Sequence, residues 1–344
     1  MKKVFFILAL LVVLSSCSNE TVYTHQNYVG TEGVVFDFSS NMPPSVLYEN
    51  TPAIVSFDVF NRGAYSIRDP EKGIITLRYD NLYFSSDRRS VYFEGDRVNI
   101  NGFTLEGRQP GYPRGDRTLV ELGRLDINEI QGDRSAVTTR LSASICYPYK
   151  TFLTETVCVD TDVFEGVSDP VCRSRGAYTY SSQGAPIAIS KIEPRMIPRS
   201  RQEEAQDVHT SVVDPETGQF LGIAEISEGT ELFIIQPVFE IEVRNAGRGT
   251  VFYSSSSDTH DVCTGMGSAR ELNQVKISAM LGSQEMDCSP EIVTLRNDRG
   301  TTICRVPDSD LVPTIGSYTQ IINVEAEYYY SDFITKDVEI RKLN

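Results

Sequence analysis

The sequence predicts an all-β protein of two tandem antiparallel sandwiches related by an internal duplication. The first observation is alternation. In Ala53-Ile54-Val55-Ser56-Phe57-Asp58-Val59 the odd positions are apolar while Ser56 and Asp58 face the other way, and Phe239-Glu240-Ile241-Glu242-Val243-Arg244 alternates at every step. Period two with one wet face marks an antiparallel strand on a sandwich or barrel. The second observation is a repeat. Val55–Gly63 matches Phe239–Gly247 at an offset of 184, and Tyr147–Val159 matches Tyr328–Ile340 at an offset of 181, in the same order along the chain. The third is punctuation: Gly, Pro, Asn, Asp and Ser bound the apolar runs, and almost no stretch carries a helical period.

At the N-terminus, Met1-Lys2-Lys3 precedes the apolar run Val4–Leu14 and then Ser15-Ser16-Cys17. A charged start, a short apolar core and a small-residue cleavage site make residues 1–16 a secretory signal peptide. The apolar run is too short to cross roughly 30 Å of hydrocarbon, which takes about 20 residues in a helix. Leu14-Ser15-Ser16-Cys17 resembles the lipobox of prokaryotic lipoproteins. The resemblance implies cleavage before Cys17, a diacylglyceryl group on its sulfur, and a mature chain held at a cell membrane or outer membrane by acyl tails. Residues 17–30 are then a short polar tether.

Residues 31–184 and 185–344 are the two expected domains, divided at the polar Gly/Pro stretch Tyr180–Pro186. In the first match each strand ends in Asn-x-Gly, at Asn61–Gly63 and Asn245–Gly247, and both residue types tolerate the positive φ of a tight turn. The second match reads as a closing hairpin, with turns near Lys150–Glu155 and Ser331–Lys336. Residues 195–219, preceded by Pro194 and containing Pro198 and Gln202–Asp207, interrupt the strand pattern. They are expected to form a surface loop or one short helix, with a partner-binding insertion as the other reading.

Six cysteines follow Cys17: Cys146, Cys158, Cys172, Cys263, Cys288 and Cys304. An even count in an exported chain implies up to three disulfides. Local pairing favours Cys158 with Cys172 and Cys288 with Cys304, each closing a loop of about 15 residues and stabilising by roughly 3 kcal/mol. Cys146 and Cys263 are then free or joined across the halves, and a Cys146–Cys158 pair is the competing choice. Zinc is not indicated, because no C-x₂₋₄-C pair occurs and His25, His209 and His260 are scattered.

Charge narrows the partners. The chain carries a net charge of −15, and removing residues 1–16 with Lys2 and Lys3 leaves −17. Such a surface repels phosphate backbones, which argues against nucleic acid and leaves cations, basic proteins or a glycan. Catalytic patterns are weak. Only His209 and His260 lie in the expected domains, no G-x-S-x-G occurs, and His260 sits in the polar stretch Ser254–Asp261. Asp160, Asp162 and Glu165, or Asp308 and Asp310, offer calcium-type oxygens near turns but lack the spacing of an EF-hand loop, and read as solvated charges. No phosphate-binding glycine loop is present. No cofactor and no metal is expected.

The alternating strand ending in Asn-x-Gly, in tandem copies behind a signal, looks like the immunoglobulin-like domains of the CARDB type in prokaryotic envelope proteins. The segment Ile145–Val159 with its two cysteines, followed by Gly184-Ala185-Pro186, resembles surface proteins of small-genome archaea. The resemblance implies an immunoglobulin-like fold and an extracellular setting, and carries no shared catalytic residues. The expected function is a non-enzymatic, lipid-anchored surface protein for adhesion, scaffolding or ligand capture. The alternatives are an envelope hydrolase, with an acidic site in loops 100–118 or 254–268, and a subunit of an envelope complex. A long, uncharged, exposed edge strand points to the last of these.

Overall fold

The computed structural model describes residues 29–68, 71–93, 104–161, 170–200, 209–213, 220–225, 233–256, 259–264, 272–311 and 316–343. Within them the chain is nearly all strand. The first half contributes β1 (Val34–Phe38), β2 (Val46–Tyr48), β3 (Pro52–Asn61), β4 (Ile67–Arg68), β5 (Gly73–Arg78), β6 (Phe84–Ser85), β7 (Ser90–Phe93), β8 (Thr104–Leu105), β9 (Arg117–Ile127) and β10 (Ala136–Asp160). The second half contributes β11 (Tyr178–Thr179), β12 (Ile187–Ser200), β13 (His209–Val213), β14 (Phe220–Glu225), β15 (Phe233–Asn245) and β16 (Thr250–Phe252). After the short helix α1 (Thr259–Thr264) come β17 (Gln274–Leu281), β18 (Gln284–Ser289), β19 (Ile292–Thr294), β20 (Arg299–Arg305) and β21 (Ser317–Arg341).

The strands β1-β3-β9-β6 form one sheet, and a second path runs β11-β12-β15-β20-β18-β17-β21-β10-β5-β7. β18 turns the corner within that path, pairing β17 through Met286 and β20 through Asp287–Ser289. The spine of the molecule is the ladder between β10 and β21. These strands pair antiparallel over 25 residues each, from Ala136↔Arg341 to Asp160↔Ser317, in one unbroken register. Side chains of a strand alternate faces. Leu141, Ile145, Tyr147, Tyr149, Leu153 and Val157 of β10, and Ile322, Val324, Tyr328, Tyr330 and Val338 of β21, therefore all reach one face and are buried. They share a single core with Val55, Phe57 and Val59 of β3 at one end and with Phe239, Ile241 and Val243 of β15 at the other. Each such burial contributes about 1.5–3 kcal/mol.

Three expectations are corrected. The hairpin turns near Lys150–Glu155 and Ser331–Lys336 do not form, because both segments lie inside the unbroken ladder. No glycine occurs in either long strand to release a turn, and Thr151, Thr154 and Thr156 favour extension. Residues 195–219 are neither loop nor helix where they are described: β12 continues to Ser200, and β13 pairs with β14. Pro194 and Pro198 are four apart on β12, whose only partner among the described residues beyond Lys191–Ile192 is β15. Their missing N–H groups share the free edge, where proline is tolerated.

The third correction concerns the Asn-x-Gly turns. Asn61 and Asn245 do end β3 and β15. The positive-φ residues are Asn41, Asn50, Asn273, Asn297 and Asp298, together with other glycines, and neither turn uses that region. Glycine is required for a different reason. A Cβ on Gly63 would collide with the Tyr149 hydroxyl, and one on Gly247 with the Tyr330 hydroxyl.

Three disulfides join Cys158 to Cys172, Cys288 to Cys304, and Cys146 to Cys263 across the two halves. They suit an oxidising, extracytoplasmic compartment. The last one fixes α1, whose Val262 packs into a small cluster with Ile74, Cys146, Phe252 and Tyr329, on the face of the ladder opposite the main core. Among the described residues, no helix is long and apolar enough to cross a membrane.

Candidate functional site

At the middle of the spine, where the halves meet, four tyrosines point from the ladder to the facing strands. Tyr147 Oη accepts from the Val34 amide and donates to the Val34 carbonyl, both at 3.0 Å. Tyr149 Oη donates to Asn61 Oδ1 at 3.1 Å. By the repeat offset Tyr328 and Tyr330 correspond to these two. Tyr328 Oη accepts from the Ile187 amide at 3.4 Å, and Tyr330 Oη accepts from the Gly249 amide at 2.6 Å. Burial pushes all four phenols up, Tyr330 to about 12, so they stay protonated and can keep donating.

The two turns below them share one construction. Asn61 Nδ2 donates to the Tyr65 carbonyl at 2.7 Å, and its Oδ1 accepts from the Gly63 amide at 3.2 Å. Asn245 Nδ2 donates to the Gly249 carbonyl at 3.0 Å, and its Oδ1 accepts from the Gly247 amide at 3.2 Å. After the turns the halves diverge. Thr250–Phe252 pairs directly with β21 at Ser331–Tyr329. Ile67–Arg68, at the matching place in the first half, pairs with β8 instead. On β10 the counterparts of Tyr329–Ser331 are Pro148–Lys150, and no strand among the described residues covers them on that side.

The open run is short and has defined ends. Thr161 N donates to the Gly316 carbonyl, and Lys342 N donates to the Ser135 carbonyl, so the odd residues of β10 hydrogen-bond toward β21. The even residues point the other way. Through Ser142, Ser144 and Cys146 that side is taken by β5. Beyond them Pro148 has no N–H to offer, and the Thr156 amide donates to Glu155 Oε1 at 3.0 Å. Between these ends Lys150, Phe152 and Thr154 present backbone groups with no backbone partner among the described residues.

A groove of about 780 Å³ runs along this edge. One wall is Tyr65, Ser66 and Arg68 with Arg108–Pro110 from the first half, and the other is Tyr180, Ser182 and Gln183 from the second. Tyr65 lies 6.1 Å from the Phe152 ring and donates to Glu71 at 2.5 Å, and Tyr180 donates to Glu155 at 2.8 Å. Burial, then the neighbouring carboxylates, push both phenols up, and burial raises Glu71. Lys150 is drawn down by partial burial but raised overall by Glu325 at 2.7 Å and Glu327 at 3.6 Å. The chain enters at the groove's rim, where Arg108 donates to the Val29 carbonyl and Ser182 Oγ accepts from the Gly30 amide at 2.9 Å.

The residues singled out in the sequence fall in several places. Cys17 and His25 lie outside the described residues, as do Asp162 and Glu165. His209 opens β13 and His260 lies in α1. Asp308 Oδ1 accepts from Gln236 Nε2 at 3.1 Å, a contact within the fold. In the 100–118 loop the acids serve the fold as well: Asp116 accepts from the Glu106 amide at 2.8 Å and from the Tyr112 hydroxyl at 2.7 Å. Among the described residues, no group of three or more His, Cys, Asp or Glu side chains is arranged to hold a metal ion. Sequence reading missed the open edge altogether. Pro148, inside an otherwise strand-like run, was the available signal, because proline in a strand marks an edge. The chain matches no protein-family model and no curated protein.

Proposed function

We propose that this is a non-enzymatic, extracytoplasmic protein, lipid-anchored through Cys17, whose two immunoglobulin-like sandwiches arose by duplication and capture a protein or glycan ligand at the cell envelope. The observation that carries the reading is the groove: a walled strand edge at the junction of two halves that share a continuous ladder. Loops and edges on a rigid frame are the usual place for binding. The matched hydrogen bonds of Asn61 and of Asn245, each to the residues two and four positions on, support the duplication.

Anchoring at Cys17 gives the groove a fixed address. Val29 sits at the rim, and the chain from Cys17 to Val29 reaches at most about 40 Å at 3.3–3.6 Å per residue. The groove then works close to the membrane, with the protein held by its waist. Two acyl chains anchor stably where one does so only marginally.

Intact mass of the protein recovered from the membrane fraction, beside a Cys17→Ser version, tests this. The expected mass begins at residue 17, includes acyl groups, and rises by six hydrogens on reduction of three disulfides. The Cys17→Ser protein is expected to lose the acyl mass and leave the membrane. Unmodified wild-type chain released to the medium would contradict the anchor.

A further inference from the structure

We propose that the groove binds an uncharged oligosaccharide, laid along the open edge of β10 with its ring faces on aromatic side chains and its hydroxyls on the exposed backbone. The inference names the ligand class for the capture reading and rests on it, but it does not depend on the lipid anchor.

Shape and surface come first. The groove holds about 780 Å³ where the two halves meet. Sites of roughly 300–1,000 Å³, lined mainly by apolar and aromatic groups with a few polar ones, are the usual form of a small-ligand site. The rings here are Phe152, Tyr65 and Tyr180. Phe152 is 51% exposed and lies 6.1 Å from the Tyr65 ring, so much of its surface stays in contact with water. A pyranose carries a row of C–H groups on one face, and that face packs on aromatic rings as other apolar surface does. The chain has no tryptophan, so these three rings supply the stacking surface.

Charge then narrows the class. Arg68, Arg108 and Lys150 are the cations on the groove wall. Glu106 takes Arg68, Ser66 and Gln109, while Glu325 and Glu327 take Lys150. Glu71 accepts from Tyr65 at 2.5 Å and Glu155 from Tyr180 at 2.8 Å. Arg108 donates to the Val29 carbonyl. An anionic ligand therefore meets these five carboxylates in a chain of net charge −15, and a cationic one meets the three cations on the wall itself. Like charges brought together suppress binding of the wrong partner. An uncharged ligand disturbs none of these pairs.

Hydrogen bonding completes the match. Lys150, Phe152 and Thr154 present N–H and C=O groups with no backbone partner among the described residues. A hydroxyl both donates and accepts, so neighbouring sugar hydroxyls can answer the N–H and the C=O of one residue. A peptide strand could use the same groups, but Pro148 and the Glu155-bound Thr156 amide confine it to those three residues. The edge thus favours a ligand that also draws on the rings.

The test uses the full mature chain with Cys17→Ser and disulfides intact. The probes are cellohexaose, maltohexaose, mannohexaose and chitohexaose, with binding detected by saturation-transfer NMR and Kd found by titration. At least one should bind, and its Kd should change less than about twofold between roughly 50 and 500 mM salt. Phe152→Leu keeps an apolar side chain at an exposed position and removes the ring, so it should fold and weaken binding by about fivefold to tenfold. Phe333→Leu, at the matching exposed position of β21 outside the groove, should leave Kd unchanged. Tighter binding of a uronate hexaose, binding that Phe152→Leu does not weaken, or no binding of any hexaose at millimolar protein would overturn the inference. Binding of an uncharged valine–threonine octapeptide in place of the sugars would overturn it and leave the capture reading standing. New reducing ends in the incubated sugar would support the ligand class and contradict the non-enzymatic reading, so the two failures are distinguishable.

Discussion

Asn61→Ala is expected to lower unfolding stability by about 3–5 kcal/mol, with the protein still folded but its first half loosened. Asn61 is fully buried and makes four hydrogen bonds, to the Tyr65 carbonyl, the Leu105 carbonyl, the Gly63 amide and the Tyr149 hydroxyl. A net hydrogen bond is worth about 1 kcal/mol, and the partners left behind are buried without replacements, which adds to the loss. Asn245→Ala removes two such bonds from a less buried position, so about half the effect is expected. Urea unfolding of both variants beside the wild type measures this. A loss below about 1 kcal/mol for Asn61→Ala would mean that the turn network does not hold the first half.

Removing the Cys146–Cys263 disulfide by double substitution to alanine is expected to cost about 4–5 kcal/mol, the largest effect of any single crosslink. Its sequence separation is 117, against 14 and 16 for the other two. In the chain-entropy model a loop of about 100 residues is worth roughly 4.7 kcal/mol and one of 15 roughly 3. The substitution also frees α1, with its Val262, from Ile74, Phe252 and Tyr329. Non-reducing thermal unfolding of this variant beside a Cys158/Cys172 double alanine variant compares them. Equal losses would show that the long crosslink adds nothing beyond a local staple.

Much of this was legible because burial follows the pleat. Val55, Phe57 and Val59, and Phe239, Ile241 and Val243, are the core positions that period two assigns, and each is fully buried. Both local disulfides followed from short spacing alone. The length of β10 and β21 was not legible. Their outer faces carry Lys150, Thr154 and Thr335, polar residues that read as turns when pairing partners more than 160 positions away are unknown. The groove was less legible still. It exists because the chain after Asn61 pairs with the two-residue strand β8 while the chain after Asn245 pairs with β21. The contact that distinguishes them is not local: Asn61 also donates to the Leu105 carbonyl of β8, 44 positions away, beside the bonds to the residues two and four positions on that both turns share.

The central claim is a continuous ladder between the halves whose far side is open from Lys150 to Thr154. Amide-resolved hydrogen exchange of the folded chain tests it most directly, since protection reports which backbone groups are bonded. Tyr149, Thr151 and Leu153 should be strongly protected, and Lys150, Phe152 and Thr154 should exchange fast, giving an odd–even alternation along one strand. Uniform protection across these six amides would contradict the open edge. Uniformly fast exchange would contradict the ladder itself.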